Sequence, residues 1–255
     1  MKRDALKLAV LFVALFLPPV FGDAFYINVA SQVLIAAIFA MSLNLLVGYG
    51  GMTSLGHAAY LGTSAYIVAF LTSGAGWGFA PAALVSILAT TVMAACFGAI
   101  ALRGFGISFL MITLALGQTI WGIAFRWSSV TGGDNGIAGV PRPKVFGASL
   151  AEPISFYIAI SLLFLIAMFA MSAFTRSGLG VSLQGVRDQP RRMAILGHNV
   201  WLVKWITFVI AGFWGAVSGI AFIAYHGYIH PQSLALTNSA EVLLMVIAGG
   251  AGTLF

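Results

Sequence analysis

The chain has 255 residues, 61% of them hydrophobic and 7% charged, with a mean hydropathy of +1.04. Soluble domains carry about 25% charged residues, so a water-covered globule is excluded; at roughly 20 apolar residues per crossing, the length allows up to about eight or nine membrane spans. The net charge of +6 does not point to nucleic acid, because the basic residues sit in short clusters between apolar runs, where they orient a chain in a bilayer.

In chain order, the basic start Met1-Lys2-Arg3 leads into an apolar run at 6–21. It is read as a first, uncleaved span, because Pro18-Pro19-Val20-Phe21 stands where a signal peptide needs a small-residue cleavage site. Further apolar stretches follow at 28–47, 57–72, 79–102, 105–125, 154–174, 205–225 and 240–250. Their glycine, alanine and serine content suits helices packed closely in lipid. Backbone groups in hydrocarbon require helices or a closed barrel, and the absence of strict alternation selects helices. The stretches at 57–72 and 240–250 are short enough to be re-entrant.

With the N-terminus inside and eight crossings, the inside segments carry Lys2, Arg3, Lys7, Arg103, Arg176, Arg187, Arg191, Arg192 and Lys204. The outside segments carry only Arg126, Arg142 and Lys144, and nine against three satisfies the positive-inside bias.

The glycines of the segment Asn44 to Tyr66, namely Gly48, Gly50, Gly51, Gly56 and Gly62, allow an interrupted helix and close backbone approach. Broken helices at membrane depth are tolerated where they line a cavity or pack in protein. Two readings stand together: freed backbone groups beside Ser54 and His57 contact a substrate, or the segment is a tight loop joining two spans. A weak internal echo accompanies it, Gly50-Gly51-Met52-Thr53-Ser54-Leu55 against Gly249-Gly250-Ala251-Gly252-Thr253-Leu254, as repeat-built transporters display.

The loop 175–204 is the longest polar segment. Gly178 and Gly180 let the chain turn, and 181–187 suits a short amphipathic helix with Val181, Leu183 and Val186 on one side. Pro190 fits the first turn of a second helix, Asp188 is placed to cap it, Met193, Ala194 and Leu196 give an apolar stripe, and Gly197 stops it. Composition alone leaves two readings of this loop, a knob for a partner protein or a solvated basic loop.

Other chemistry is thin. Cys96 is the single cysteine, which excludes a disulfide framework. His226 and His230 have i, i+4 spacing, but Gly227 and Pro231 break the helix such a metal pair needs. Glu241 lies at the edge of a span. There is no Gly-x-x-x-x-Gly-Lys-Ser/Thr motif, so ATP is not bound here in that way. An ion-coupled carrier would need buried carboxylates, and only Glu241 is available.

Four ordered blocks carry a family resemblance. The first is Asn44-Leu45-Leu46-Val47-Gly48-Tyr49-Gly50-Gly51-Met52-Thr53-Ser54-Leu55-Gly56-His57-Ala58-Ala59, with Met52 where a glutamine is common. The second is Thr131-Gly132-Gly133-Asp134-Asn135-Gly136. The third is the loop pattern Gly180, Leu183, Val186, Arg187, Asp188, Ala194, Leu196, Gly197 and Asn199, with Pro190 where an acidic residue is usual. The fourth is Glu241 to Leu254. Together they resemble LivM-type permeases of branched-chain amino acid ABC transporters, including their urea and short-amide relatives.

The resemblance implies an all-α, polytopic transmembrane bundle of about eight spans, one permease domain over 1–255, in a multi-pass protein of the bacterial inner membrane with a cytoplasmic N-terminus. It implies a non-enzymatic subunit with no cofactor of its own and ATP on partner subunits. The partners would be a second homologous permease subunit, two cytoplasmic ATP-binding subunits, a periplasmic substrate-binding protein, an amino acid substrate and membrane lipid, with no nucleic acid. ATPase coupling would fall on Gly180, Leu183, Gly185, Val186, Arg187, Asp188, Arg191, Ala194, Leu196 and Gly197. The translocation path would involve Asn44, Gly50, Gly51, Ser54, Gly56, His57 and Glu241. Family members continue past the Gly-Gly-x-Gly turn, so the chain is expected to be short at its C-terminus.

Overall fold

Asp23 opens the first described helix in the computed structural model, which describes residues 23–145, 148–150 and 152–253. Its carboxylate accepts from the Phe25 N–H at 3.0 Å and caps α1 (Ala24–Asn44), which continues through a π turn, Leu45–Tyr49. Then follow α2 (Ala58–Ala69) with its own π turn Phe70–Gly74, α3 (Phe79–Ala101), α4 (Ile107–Arg126) and α5 (Pro153–Arg176). Two short helices, α6 (Gly178–Asp188) and α7 (Pro190–Ile195), precede the long α8 (Val200–His226) and the final α9 (Leu236–Gly249). Two-residue strands β1 (Ile137–Ala138), β2 (Lys144–Val145), β3 (Ala148–Ser149) and β4 (Tyr228–Ile229) pair antiparallel as β1–β4 and β2–β3 within the connections.

The protein is a polytopic bundle of apolar helices. Five helical segments among the described residues are long and apolar enough to cross a membrane: 24–49, 79–101, 107–126, 153–176 and 200–226. The expected span at 6–21 lies outside the described residues. The two short expected spans are different objects. α2 with its π turn has 12 and five residues, and α9 has 14, giving rods of about 25 and 21 Å against a hydrocarbon thickness of about 30 Å. Eight full crossings are therefore not what these residues form.

α8 is the central and most buried long helix. Lipid offers no hydrophobic drive for helix association, so small residues that permit close packing decide the interface. On α8 these are Gly212, Gly215 and Gly219: a side chain at Gly212 would collide with Ala94 of α3, and at Gly219 with the Leu61 carbonyl and Ser64 of α2. Trp205 donates to the Ala95 carbonyl at 2.9 Å, tying α8 to α3. α1 packs against α5, α8 and α9. The opposite faces of α3, α4 and α5 present Leu88, Ile107 and Phe169, each more than 60% exposed, as lipid-contacting helices do.

Basic residues separate by end. Arg103, Arg187 and Lys204 belong to the end where α1 meets α6 and the start of α8, hereafter the basic end. Arg126 and Arg142 lie at the other end with β1 and β4, where the Arg142 guanidinium donates to the Tyr225 carbonyl. That far end is shaped by the Thr131-Gly132-Gly133 turn. Thr131 Oγ1 donates to the Ala124 and Trp127 carbonyls, and Gly132 adopts φ +74, a left-handed conformation that favours glycine.

Candidate functional site

Between α1 and α2 the chain leaves helical geometry at the basic end and returns into the bundle. Gly51 turns with φ +64, and residues 52–57 descend to start α2 inside the protein rather than at its surface. Three contacts fix this descent. Leu55 N–H donates to Thr113 Oγ1 of α4 at 3.3 Å, and Gly56 packs against the α4 backbone so closely that a side chain would strike the Thr113 carbonyl. The Ala58 N–H, an orphan donor of the first turn of α2, is taken by Ser239 Oγ of α9 at 3.0 Å.

The chain enters the bundle from the far end in a mirrored way. After β4, residues 231–235 run inward, with Leu234 buried against Gly62, and α9 begins there. α2 and α9 thus start within the bundle, bonded near their N-termini, and run to opposite ends. The Gly-Gly echo has a spatial counterpart: Asn44 Oδ1 accepts from the Gly252 N–H at 3.0 Å and its Nδ2 donates to the Thr253 carbonyl at 2.6 Å. The two glycine segments meet at one junction, although Leu254 lies outside the described residues.

The hairpin α6–α7 docks on that junction. α6 starts earlier than expected, at Gly178, because Ser177 Oγ accepts from the Gly180 N–H at 3.3 Å. Gly178 and Gly180 are therefore helical, the turn itself falling at Ser177, and Gly180 is needed because a side chain there would hit the Phe174 and Thr175 carbonyls. Leu183 and Val186 are fully buried with Val203 of α8. Gly185 leaves room for Met193, which closes α7 onto α6. Asp188 does not cap α7. Its carboxylate is held by the neighbouring Arg187 Nε at 3.0 Å, and Gln189 occupies the cap position without a side-chain bond. The expected stripe on α7 also divides: Met193 packs inward, while Ala194, Ile195 and Leu196 are exposed, with Ile195 at 85% and Leu196 at 72%. Arg191 and Arg192 are exposed beside them, and Gly197 ends the turn with φ +87.

Arg187 joins the two halves of the site. Its NH1 donates to the Gly48 carbonyl at 2.6 Å, in the π turn of α1. Gly51 lies beneath its aliphatic stem, where an added Cβ would stand 2.7 Å from Arg187 Cγ. Gly252 adjoins the same guanidinium.

The candidate path residues are distributed unequally. Asn44, Gly50, Ser54, Gly56 and His57 are buried, whereas Gly51 is exposed and lines a cavity of about 510 Å³ at the basic end with Lys204 and Trp201. His57 is sealed: its ring stacks on Phe39, and its Nε2 is 2.7 Å from Ser42 Oγ. Since Ser42 donates to the Phe39 carbonyl at 2.6 Å, it accepts from His57, which fixes the Nε2–H tautomer and leaves Nδ1 without a partner. Direct substrate contact by Ser54 or His57 is thus not available in this conformation.

Glu241 is exposed in this chain. It lines a cavity of about 240 Å³ alongside Ile35 and Ala36 of α1. Ile35 lies 11 residues from the start of the 24–49 segment and 14 from its end, about 16 and 21 Å along the axis. That is midway along the segment, while His226 of the same cavity is the last residue of α8. Gln32 and Asn238 share this cavity and were missed in the sequence, as was Ser239; His226, weighed there only as half of a metal pair, lines it too. Gln32 and Asn238 carry the one usable signal, polar side chains in or beside apolar runs.

Residues 25–255 match the family described as branched-chain amino acid transport system / permease component. The chain belongs to that family. Two curated relatives, the high-affinity branched-chain amino acid transport system permease proteins LivM of Salmonella typhimurium (strain LT2) and Escherichia coli (strain K12), are each 25% identical over 252 residues. The alignments cover 90% of this permease chain and 59% of either relative, so the chain spans about three-fifths of their length. No solved structure matches it.

Proposed function

We propose that this permease is the membrane subunit of an ATP-driven importer that moves branched-chain amino acids across the bacterial inner membrane, with its basic end in the cytoplasm. The positive-inside bias supports that orientation. A second, homologous permease subunit completes the path, two ATP-binding subunits grip the α6–α7 hairpin, and a periplasmic binding protein delivers the substrate at the far end. ATP is held by the partners, and this chain performs no covalent chemistry.

The observation that carries this reading is the Arg187 junction. One side chain of an exposed hairpin reaches the turn of a broken helix, and that turn is stapled by Asn44 to the end of a second broken helix. Force applied to α6–α7 acts directly on the elements that interrupt the bundle. Gly185, Val186 and Leu183 make the hairpin a rigid unit, while Ile195, Leu196 and Arg191 offer the partner-facing surface.

Co-expression with candidate ATP-binding and permease subunits tests the proposal. The chain is expected to co-purify with both, and proteoliposomes of the assembly are expected to accumulate labelled leucine only with binding protein and ATP. Accumulation without ATP, or driven by an ion gradient, refutes it.

A further inference from the structure

Glu241 holds an exposed carboxylate beside the middle of an apolar, membrane-length segment, where insertion scales put an acid at about +2.5–3.5 kcal/mol. Glu241 has no ion pair or hydrogen bond among the described residues, and the cavity it lines supplies no counter-charge from the protein.

Free acceptors outnumber free donors in that cavity. Gln32 Nε2 donates to Tyr225 Oη at 3.0 Å; Tyr225 gives its own proton to the Asn28 carbonyl, so this amide orientation is set by its partner. Asn238 Nδ2 donates to the Gln232 carbonyl at 3.2 Å. His226 Nδ1 faces the Phe222 carbonyl at 3.1 Å, so it carries the proton and leaves Nε2 as the lone-pair nitrogen of the neutral ring. One N–H of each amide and the imidazole N–H are used within the protein, which leaves a second N–H on Gln32 and on Asn238. The free acceptors are Gln32 Oε1, Asn238 Oδ1, His226 Nε2 and both oxygens of Glu241, the last carrying the charge. Ser233, also at the wall, is able to act either way. A phosphate or carboxylate finds no cationic donor here, whereas a donor-only cation finds several acceptors and a negative charge.

The rest of the wall is apolar. Ile35, Phe39, Leu61 and Val242 line it, and Phe39 stacks on His57, which places the cavity against the start of α2. An ammonium group attached to a short aliphatic chain matches both surfaces. We infer that this cavity receives the amino group of the transported amino acid, with Glu241 as its counter-ion and the apolar wall beside its side chain. The inference rests on the permease reading and assigns that reading a substrate subsite.

The test uses the full importer in lipid nanodiscs, with Cys96→Ala and Ser233→Cys in this chain. Thiol modification is timed with a trimethylammonium-bearing and a sulfonate-bearing methanethiosulfonate of similar size. The cationic reagent is expected to react faster by about tenfold or more, as charge-lined clefts favour the opposite sign. Glu241→Gln is expected to remove that preference, and Glu241→Asp to retain most of it. L-leucine and isopentylamine should slow the modification, while 4-methylpentanoate, which lacks the amine, should not. Absence of modification, equal rates with Glu241 present, equal protection by 4-methylpentanoate, or equal protection by sodium chloride at matched concentration overturns the assignment. If the charge preference and amine protection hold in an assembly that does not transport leucine, the permease reading fails and the amine subsite stands. If leucine is transported without them, the subsite fails alone.

Discussion

Replacing Arg187 by alanine removes the side-chain hydrogen bond that joins the α6–α7 hairpin to the π turn of α1, leaving the packing of Tyr49 on Leu183 and Val186. The bond lost is a charged guanidinium to the Gly48 carbonyl at 2.6 Å, a class contributing about 1.5–3 kcal/mol. The neighbouring pair with Asp188 adds little, because both side chains are substantially exposed, 38% and 63%, and such pairs contribute about 0–1 kcal/mol. At about 1.4 kcal/mol per decade, the hairpin–junction contact weakens roughly ten- to a hundred-fold in its engaged population. Transport per ATP hydrolysed is therefore expected to fall by at least about tenfold in Arg187→Ala. Membrane insertion and subunit assembly should persist, because Leu183 and Val186 still anchor α6. Arg187→Lys should fall between, since an ammonium keeps the charge without the planar fork, and Arg187→Glu should be at least as impaired as alanine because it sets a carboxylate against a carbonyl. Proteoliposomes measured in parallel for labelled leucine and released phosphate give the ratio. An unchanged ratio in Arg187→Ala refutes the junction as the transmitting contact.

Three further outcomes follow from packing and satisfaction. Gly219→Val forces a side chain into the Leu61 carbonyl and Ser64 and is expected to destabilise the bundle by about 1–3 kcal/mol, read as a lower unfolding midpoint in detergent; Gly122→Ala, with open space around it, is the neutral control. Asn44→Ala strands the Gly252 N–H and the Thr253 carbonyl at about 1–3 kcal/mol, and hydrogen exchange at 249–253 should accelerate without loss of the long helices. Ser239→Ala leaves the Ala58 N–H of α2 unpaired inside the bundle, a loss of about 1–3 kcal/mol expected as faster exchange at Ala58 alone; unaltered protection there removes Ser239 from the link between the half-helices.

Much of the architecture was legible because lipid makes composition decisive. Apolar length placed α1, α3, α4, α5 and α8 within a few residues, and Pro190 marked the start of α7. What failed depends on side-chain competition that spacing does not display. Asp188 has the right position for a cap, yet Arg187 is one residue away and takes its carboxylate first. Gly178 and Gly180 read in sequence as letting the chain turn, but the break falls at Ser177, which caps a helix through them, and the glycine at 180 answers to carbonyls of α5. Glu241 reads as lying at the edge of a span when 240–250 counts as a span of its own; the inward run of 231–235 starts α9 at Leu236 and brings the acid, exposed in this chain, beside the middle of α1. The same geometry explains why Gln32 and Asn238 escaped notice. Each lies among other polar residues of its helix, and only the packing of α1, α8 and α9 brings them to one cavity.

α9 makes a single physical object of features that lie far apart in sequence. It is a rod of about 21 Å. Beyond its C-terminus, Gly252 and Thr253 are held by Asn44, one helical turn before Gly48 and the Arg187 guanidinium. Near its N-terminus, Ser239 holds the first turn of α2, and two residues later Glu241 faces the acceptor-lined cavity. Packed helices shift as bodies rather than deform continuously. A displacement entering at Arg187 can reach Glu241 by moving α9 as a whole, and α2 follows through Ser239. The π turn at Leu45–Tyr49 is the natural place for that displacement to be absorbed, because its widened hydrogen bonding, Gly50 N–H to the Leu45 carbonyl at 3.1 Å, has a tighter α-helical alternative within reach of small backbone changes. In the proposed importer the glycine block acts at a distance from that cavity: its residues let the chain turn and pack, while Glu241 stands near the other end of the rod.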